Sequence, residues 1–172
     1  MAWSNFCLHY KFYECIMAET ELIQKLKEAL KEKAREIVSP APRRIFIFIN
    51  QQDLLEVIRT LKTTWGATHL STITGVDKQE SFELLYHLAN AEASITVRLL
   101  IPRNHPHVQS ICEVIPGAIL YEREIQDMFG IVVDGIPDPR PLLLSDDWPK
   151  GEYPLRKDWK FERPPEKIPG GK

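Results

Sequence analysis

The residues of this chain best able to do chemistry sit close together, in Ala118–Phe129. Glu122 and Glu124 lie two positions apart, and a pair of carboxylates suggests general acid and base work. On a helix, however, they point roughly 200° apart, so the two cannot share one substrate. Arg123 and Asp127 are one turn apart and placed for an i,i+4 pair, worth about 0.3–0.5 kcal/mol on a solvated face. His105-Pro106-His107 offers two imidazoles but no neighbouring cysteine or carboxylate, so it reads as a solvated turn. Cys7, Cys15 and Cys112 are odd in number and lack CxxC spacing, which argues against a disulfide framework, a zinc knuckle or an iron–sulfur ligand set. Gly66 and Gly75 are isolated, so no phosphate-binding loop is present. No catalytic, cofactor-binding or metal-ligating residue is expected in this chain.

The bulk properties agree. With 172 residues the chain is long enough for one domain with a substantial core. A net charge of −2 supplies no basic field for nucleic acid or anionic lipid. No apolar run approaches the roughly 20 residues that span a bilayer. The cysteine usage predicts a reducing compartment. Met1–Ile16 is aromatic-rich and lacks a basic n-region, making it a poor signal peptide. Met17 opens an ordinary helical segment, so the expectation is a native start at Met17, with an N-terminal arm over 1–18 as the alternative.

Several elements must position the charged helix. Leu22, Ile23, Leu26, Ala29, Leu30, Ala34 and Ile37 recur at helical spacing and predict a helix from Thr20 to Val38, stopped by Ser39-Pro40-Ala41-Pro42. Arg44–Ile49 (RIFIFI) reads as a buried strand. Asn50 and Asp53 supply a capping signal for a helix over Leu54–Thr63, ending before Trp65-Gly66. His69–Thr74 is a strand closed by Gly75, with His69 at the core edge. Phe82–Leu88, carrying His87, and Ser94–Ile101 form a hairpin. A short helix is expected around Val108–Val114, with Cys112 a buried small hydrophobe. The plan is α+β: two layers, a mixed four- to five-stranded sheet with helices on one face. The core domain should cover 19–135 and an extended Pro-rich tail 136–172.

In the charged helix, Ala118, Tyr121, Ile125, Met128 and Phe129 gather into a stripe facing the sheet, with Glu122 and Glu124 on its borders. Gly130 supplies the stop and Ile131–Val133 a short edge strand. Beyond Asp134-Gly135 lie Pro137, Pro139, Pro141, Pro149, Pro154, Pro164, Pro165 and Pro169, interleaved with Leu142–Leu144, Trp148, Tyr153, Leu155, Trp159 and Phe161. A disordered tail is poor in such groups. A proline-stiffened tail has little conformational freedom to lose and much apolar area to bury, so it is expected in a groove on another protein.

Tyr121-Glu122-Arg123-Glu124-Ile125-Gln126-Asp127-Met128-Phe129-Gly130-Ile131 resembles the signature helix of the 30 kDa subunit family of NADH dehydrogenase, a component of complex I. Related subunits occur in energy-converting membrane-bound [NiFe] hydrogenases. The similarity continues through Gly135–Arg140, Leu142–Leu144, Ser145–Trp148 and Tyr153–Asp158, and upstream through Ile73–Asp77 and Tyr86–Leu88. It covers about Arg44–Asp158. It departs at Ile136, where the family usually carries His or Lys. The resemblance implies a hydrophilic structural or assembly subunit without a redox cofactor of its own. That subunit packs on the large catalytic subunit, of quinone-site or [NiFe] type, beside iron–sulfur subunits. The complex is a membrane-bound, ion-translocating oxidoreductase, and the chain would sit peripherally on the cytoplasmic side of the membrane. Iron–sulfur clusters and the quinone or nickel–iron centre are expected in those partners. The candidate inter-subunit contacts are Glu122, Arg123, Glu124, Asp127, Arg140, Trp148, Arg156 and Lys157. A proline-tail binding module outside redox complexes is the alternative, and a stand-alone enzyme with a pocket beside Glu122 or Asp127 is a third reading.

Overall fold

The computed structural model describes residue 21 and residues 23–91 and 93–160. The expected N-terminal arm and the end of the tail, including Phe161, lie outside the described residues. Helix α1 (23–30) buries Leu26 and Leu30. A 3-10 turn, Lys31–Lys33, follows, and strand β1 runs over Ala34–Ala41. The helix expected through Val38 therefore ends eight residues early. The reason is the partner: β1 pairs antiparallel with β2 (Arg44–Ile49), Ile37 opposite Ile47 and Val38 opposite Phe46. β-branched Ile37 and Val38 suit a strand, and Pro40 is tolerated because β1 is an edge.

Helix α2 (Leu54–Trp65) buries Leu54, Val57, Ile58 and Leu61 and ends at Gly66, whose φ of 61° is left-handed. Asn50 does not cap the helix amides. Its Nδ2 donates to Asp53 Oδ2 at 3.2 Å, and the chain enters α2 through a 3-10 turn, Gln51–Asp53.

Strands β3 (His69–Asp77), β4 (Ser81–Ala89) and β5 (Ser94–Pro102) complete a sheet of order β1-β2-β5-β4-β3, antiparallel except for β2 beside β5. The α+β expectation of a mixed sheet of four to five strands holds. Alternation decides the faces. Ile45, Ile47, Ile49, Phe82, Leu84, Tyr86, Leu88, Ile95, Val97, Leu99 and Ile101 are buried in one core with the apolar side chains of the helices. Phe46, Phe48, Leu85 and His87 are half-buried on the opposite face, where the Arg98 guanidinium lies 4.5 Å from the Phe48 ring centre.

Gly75 does not close β3, which runs on to Asp77. A β-carbon at Gly75 would stand 2.5 Å from the Phe129 ring, so glycine is needed to let that ring reach the strand. Val108–Val114 is not a helix. Strand β6 (His107–Gln109) pairs in parallel with β7 (Val132–Asp134), and tight turns follow it. The pairing gives β-branched Val108 and Val133 a buried place that a single isolated turn of helix would lack. The 3-10 turn Pro116–Ala118 leads into helix α3 (Ile119–Phe129), which packs on β3.

Candidate functional site: a helix held by its own tail

Glu122 is not on the border of the apolar stripe of α3. It is 0% exposed. Spacing was the available signal, since Ala118, Glu122, Ile125 and Phe129 follow the i, i+4, i+7, i+11 line of one helix face. Its Oε2 accepts from Ser110 Oγ at 2.7 Å and Cys112 Sγ at 3.1 Å, and its Oε1 from the Ile111 amide at 2.7 Å. Cys112 N–H in turn donates to Ser110 Oγ. A buried carboxylate costs little only when bonded this fully. Glu122 thus fastens the Ser110–Cys112 turn to α3 and is sealed from any partner or substrate. Burial pushes the Cys112 thiol up to about 11, and its bond to Glu122 pushes the same way. The Tyr86 hydroxyl is also fully buried and has no hydrogen-bond partner among the described residues. Burial, and then the Glu122 charge, raises its pKa.

Arg123 and Asp127 do not pair with each other. Each turns to the tail. Arg123 donates to the carbonyl oxygens of Arg140 (2.7 Å) and Pro141 (2.8 Å), and lies 3.5 Å from the Asp138 carboxylate. Asp127 Oδ2 accepts from the amides of Leu142 (2.7 Å) and Leu143 (2.9 Å), with Leu144 N at 3.4 Å. Proline explains the arrangement. Pro137, Pro139 and Pro141 keep this stretch out of regular structure and leave its carbonyls and the following amides open to side chains.

A second clasp closes at the C-terminal end of α3. Leu155 N–H donates to Met128 O at 3.1 Å and Arg156 Nε to Phe129 O at 2.7 Å, satisfying carbonyls that the helix end leaves open. The Tyr153 ring lies where a β-carbon on Gly130 would stand, and Gly130 has φ 66°. The Arg156 guanidinium stacks 4.2 Å from the Tyr153 ring centre. Asp77, at the end of β3, accepts from Arg103 Nη1 (2.6 Å), Lys157 N (2.9 Å) and Gln79 N (2.7 Å), and Arg103 Nη2 reaches Asp158 at 2.5 Å. Burial alone would raise the Asp77 carboxyl, but its bonds from Arg103 and the two amides hold it at about 2.

The tail over 136–160 therefore packs on its own chain, where the sequence predicts a groove on another protein. Sequence reasoning missed Asp77, Arg103 and Ser110 because the charged or backbone groups that give them a role are 12 to 80 residues away in the chain. Of the other candidates, Arg140 is exposed and pairs with Asp138 at 2.6 Å. Its guanidinium holds the Asp138 carboxyl below the usual carboxylate range. The half-buried Trp148 donates to Glu152 O at 2.9 Å and lies 5.9 Å from Trp159, ring centre to ring centre. The Lys157 side chain is exposed. Glu124 is half-buried and has no hydrogen bond or ion pair among the described residues.

The histidines settle individually. His105 and His107 stack with ring centres 4.2 Å apart, and His107 faces Asp134 at 3.2 Å. His87 bonds to Thr74 and Thr96, while His69 is exposed rather than at the core edge. No group of three His, Cys, Asp or Glu among the described residues is placed to hold a metal ion, and no described helix is long and apolar enough to cross a membrane.

Known proteins place this arrangement in a family. The respiratory-chain NADH dehydrogenase 30 kDa subunit family matches residues 47–165. A subunit of the F420H2 dehydrogenase of Methanosarcina mazei is 34% identical over 80% of this chain and 87% of its own. Formate hydrogenlyase subunit 5 of Escherichia coli is 33% identical over 83% of this chain, which spans only 26% of that longer polypeptide. Among solved structures, a chain of the membrane-bound sulfane sulfur reductase, an archaeal respiratory membrane complex, superposes with a TM-score of 0.72. It is 25% identical, and the match covers 83% of this chain and 86% of its own. The chain belongs to the 30 kDa subunit family of respiratory-chain NADH dehydrogenase, whose relatives are subunits of complex I-like and energy-converting hydrogenase complexes.

Proposed function

We propose that this chain is a structural and assembly subunit of the hydrophilic arm of such a membrane-bound complex, docking on the large catalytic subunit and carrying no redox cofactor itself. On this reading it lies on the cytoplasmic side, with the iron–sulfur clusters and the quinone or nickel–iron centre in its neighbours. The observation that carries the reading is the tail laid across α3. Arg123, Asp127 and Arg156 are all engaged in holding backbone, and what they display is apolar: Leu143 is 57% and Leu155 52% exposed. A shaped, rigid surface with protruding leucines suits protein contact, because its ordering cost is met before the partner arrives.

Affinity purification of the tagged chain from its native membranes tests the reading. A large catalytic subunit should be recovered with it, and the chain produced alone should show no iron, nickel or zinc and no visible chromophore. Recovery without any large subunit, or stoichiometric metal in the isolated chain, would sink it.

A further inference from the structure

The sheet carries a concavity whose lining includes no residue of α3 or of the tail. β2 and β5 run in parallel and stay paired from Arg44 beside Ser94 to Phe48 beside Arg98. Beyond that point they part, β2 entering the 3-10 turn Gln51–Asp53 while β5 runs on to Pro102. The parting leaves an open cavity of about 500 Å³, bounded by the start of β1 and by the β3–β4 turn. Its charges are organised by one buried carboxylate. Arg98 Nε donates to Glu83 Oε1 at 2.8 Å, Arg98 Nη2 donates to the same oxygen, and Lys78 Nζ lies 2.8 Å from Oε2. Burial alone would raise the Glu83 carboxyl, but the bonds from Lys78 and Arg98 hold it below its ordinary value. It stays ionised and fixes both cations, and the Arg98 guanidinium is further held over the Phe48 ring. Neither cation is satisfied. Arg98 Nη1 and the remaining Lys78 protons have no acceptor among the described residues, and Arg35 there forms no hydrogen bond or ion pair. Arg35, Lys78 and Arg98 outnumber Glu36 and Glu83, so the cavity keeps an excess positive charge. Beside these donors Phe48 is half-buried and Leu100 is 54% exposed. An apolar wall with a few fixed polar groups is the layout of a small-ligand site.

We infer that this cavity binds a small organic carboxylate, its acid group on Arg98 Nη1 and Lys78 Nζ and its apolar body against Phe48 and Leu100. An acid is selected over a neutral polar group because the donors left open are all on cations, and charge-assisted hydrogen bonds are about twice as strong as neutral ones. An organic body is selected over a bare inorganic anion because it takes the exposed Leu100 side chain out of water. Glu83 does not exclude the acid, since both its oxygens already face Arg98 and Lys78. Binding also costs little ordering, because Glu83 and Phe48 fix the Arg98 guanidinium before the ligand arrives. The site shares no residue with the tail surface proposed for docking, so the two readings stand or fall separately.

The test titrates sodium benzoate into the isotope-labelled full chain and follows the Arg98 Nε–H and Leu100 methyl signals by NMR. Saturable shifts are expected at both. Benzamide keeps the shape without the charge, and sulfate keeps charge without the ring. Each should bind at least about tenfold more weakly than benzoate. Lys78→Gln should raise the benzoate Kd by about tenfold, as for the loss of one charge-assisted bond, and Leu100→Ala by about threefold. Both side chains are exposed, so amide signals away from the cavity should not move, and the variants then report binding rather than unfolding. Shifts that stay linear in benzoate, or a Kd indifferent to both substitutions, overturn the site. Benzamide binding as tightly as benzoate overturns the carboxylate. Sulfate binding as tightly reduces the cavity to a bare cationic patch and overturns the organic ligand.

Discussion

The Phe129 ring occupies the space over Gly75 that any other residue would fill with its β-carbon; a carbon built there stands 2.5 Å from Cε2. The same ring meets Phe82 edge-on, with centres 6.0 Å apart. The last turn of α3 is thus seated directly on β3, and the carbonyls of Met128 and Phe129 are presented to the tail.

Gly75→Ala should therefore cost more than an ordinary surface change. The added methyl has to displace an aromatic ring that anchors a whole helix, and overpacking of this kind costs about 1–3 kcal/mol. Thermal or urea unfolding of the purified chain measures it. A melting temperature equal to the wild type would show that the ring moves aside freely.

Glu122→Ala should destabilise the chain by about 3 kcal/mol, because it leaves the Ser110 hydroxyl and the Ile111 amide buried without an acceptor. Glu122→Gln keeps an acceptor oxygen and should recover part of that loss. Complex yield should follow melting temperature in both variants, since Glu122 touches no partner. A fall in yield with no change in melting would contradict that placement.

Truncation after Gly135 should lower the stability of the domain as well as prevent assembly. It removes the tail groups bonded to Arg123, to Asp127 and to the Met128 and Phe129 carbonyls, at roughly 1 kcal/mol net for each hydrogen bond lost. Urea unfolding of the truncated chain beside the full one measures the difference. Equal midpoints would mean that the tail contributes nothing in cis.

The Asp77 clasp should open in acid. Its carboxyl, ordinarily near 3.8, is held at about 2 in the folded chain. The depressed value means that its contribution, about 2 kcal/mol, is complete above pH 4 and is lost as pH falls from about 4 towards 2. Hydrogen exchange at the Lys157 amide, which donates to Asp77, should accelerate across that window relative to core amides. Asp77→Asn should abolish the pH step. A step that persists in the variant would assign it to another group.

Alternating or continuous β-branched runs and glycine stops were legible locally, so β2, α2, the β4–β5 hairpin and α3 lie within a few residues of where the sequence puts them. Hydrophobic period and turn chemistry are properties of neighbours in the chain, which is why these elements could be read without a fold. The charged string from Tyr121 to Gly130 likewise identified the family, because an ordered series of residue types is specific whatever it touches.

Tertiary structure alone decided what those charges do. Residues 34–38 are helical by pattern but become β1 because β2 offers a ladder to pair with. Glu122 reads as a residue on the border of the apolar stripe until Ser110, Ile111 and Cys112 close over it. Arg123 and Asp127 look like a helix-surface pair until the tail folds back between 15 and 18 residues later and takes both. Asp77 gains its meaning from an amide 80 residues away. Each of these outcomes is a competition between a local partner and a distant one. A sequence displays the local partner, while the distant one exists only once loop closure has brought it within hydrogen-bond reach.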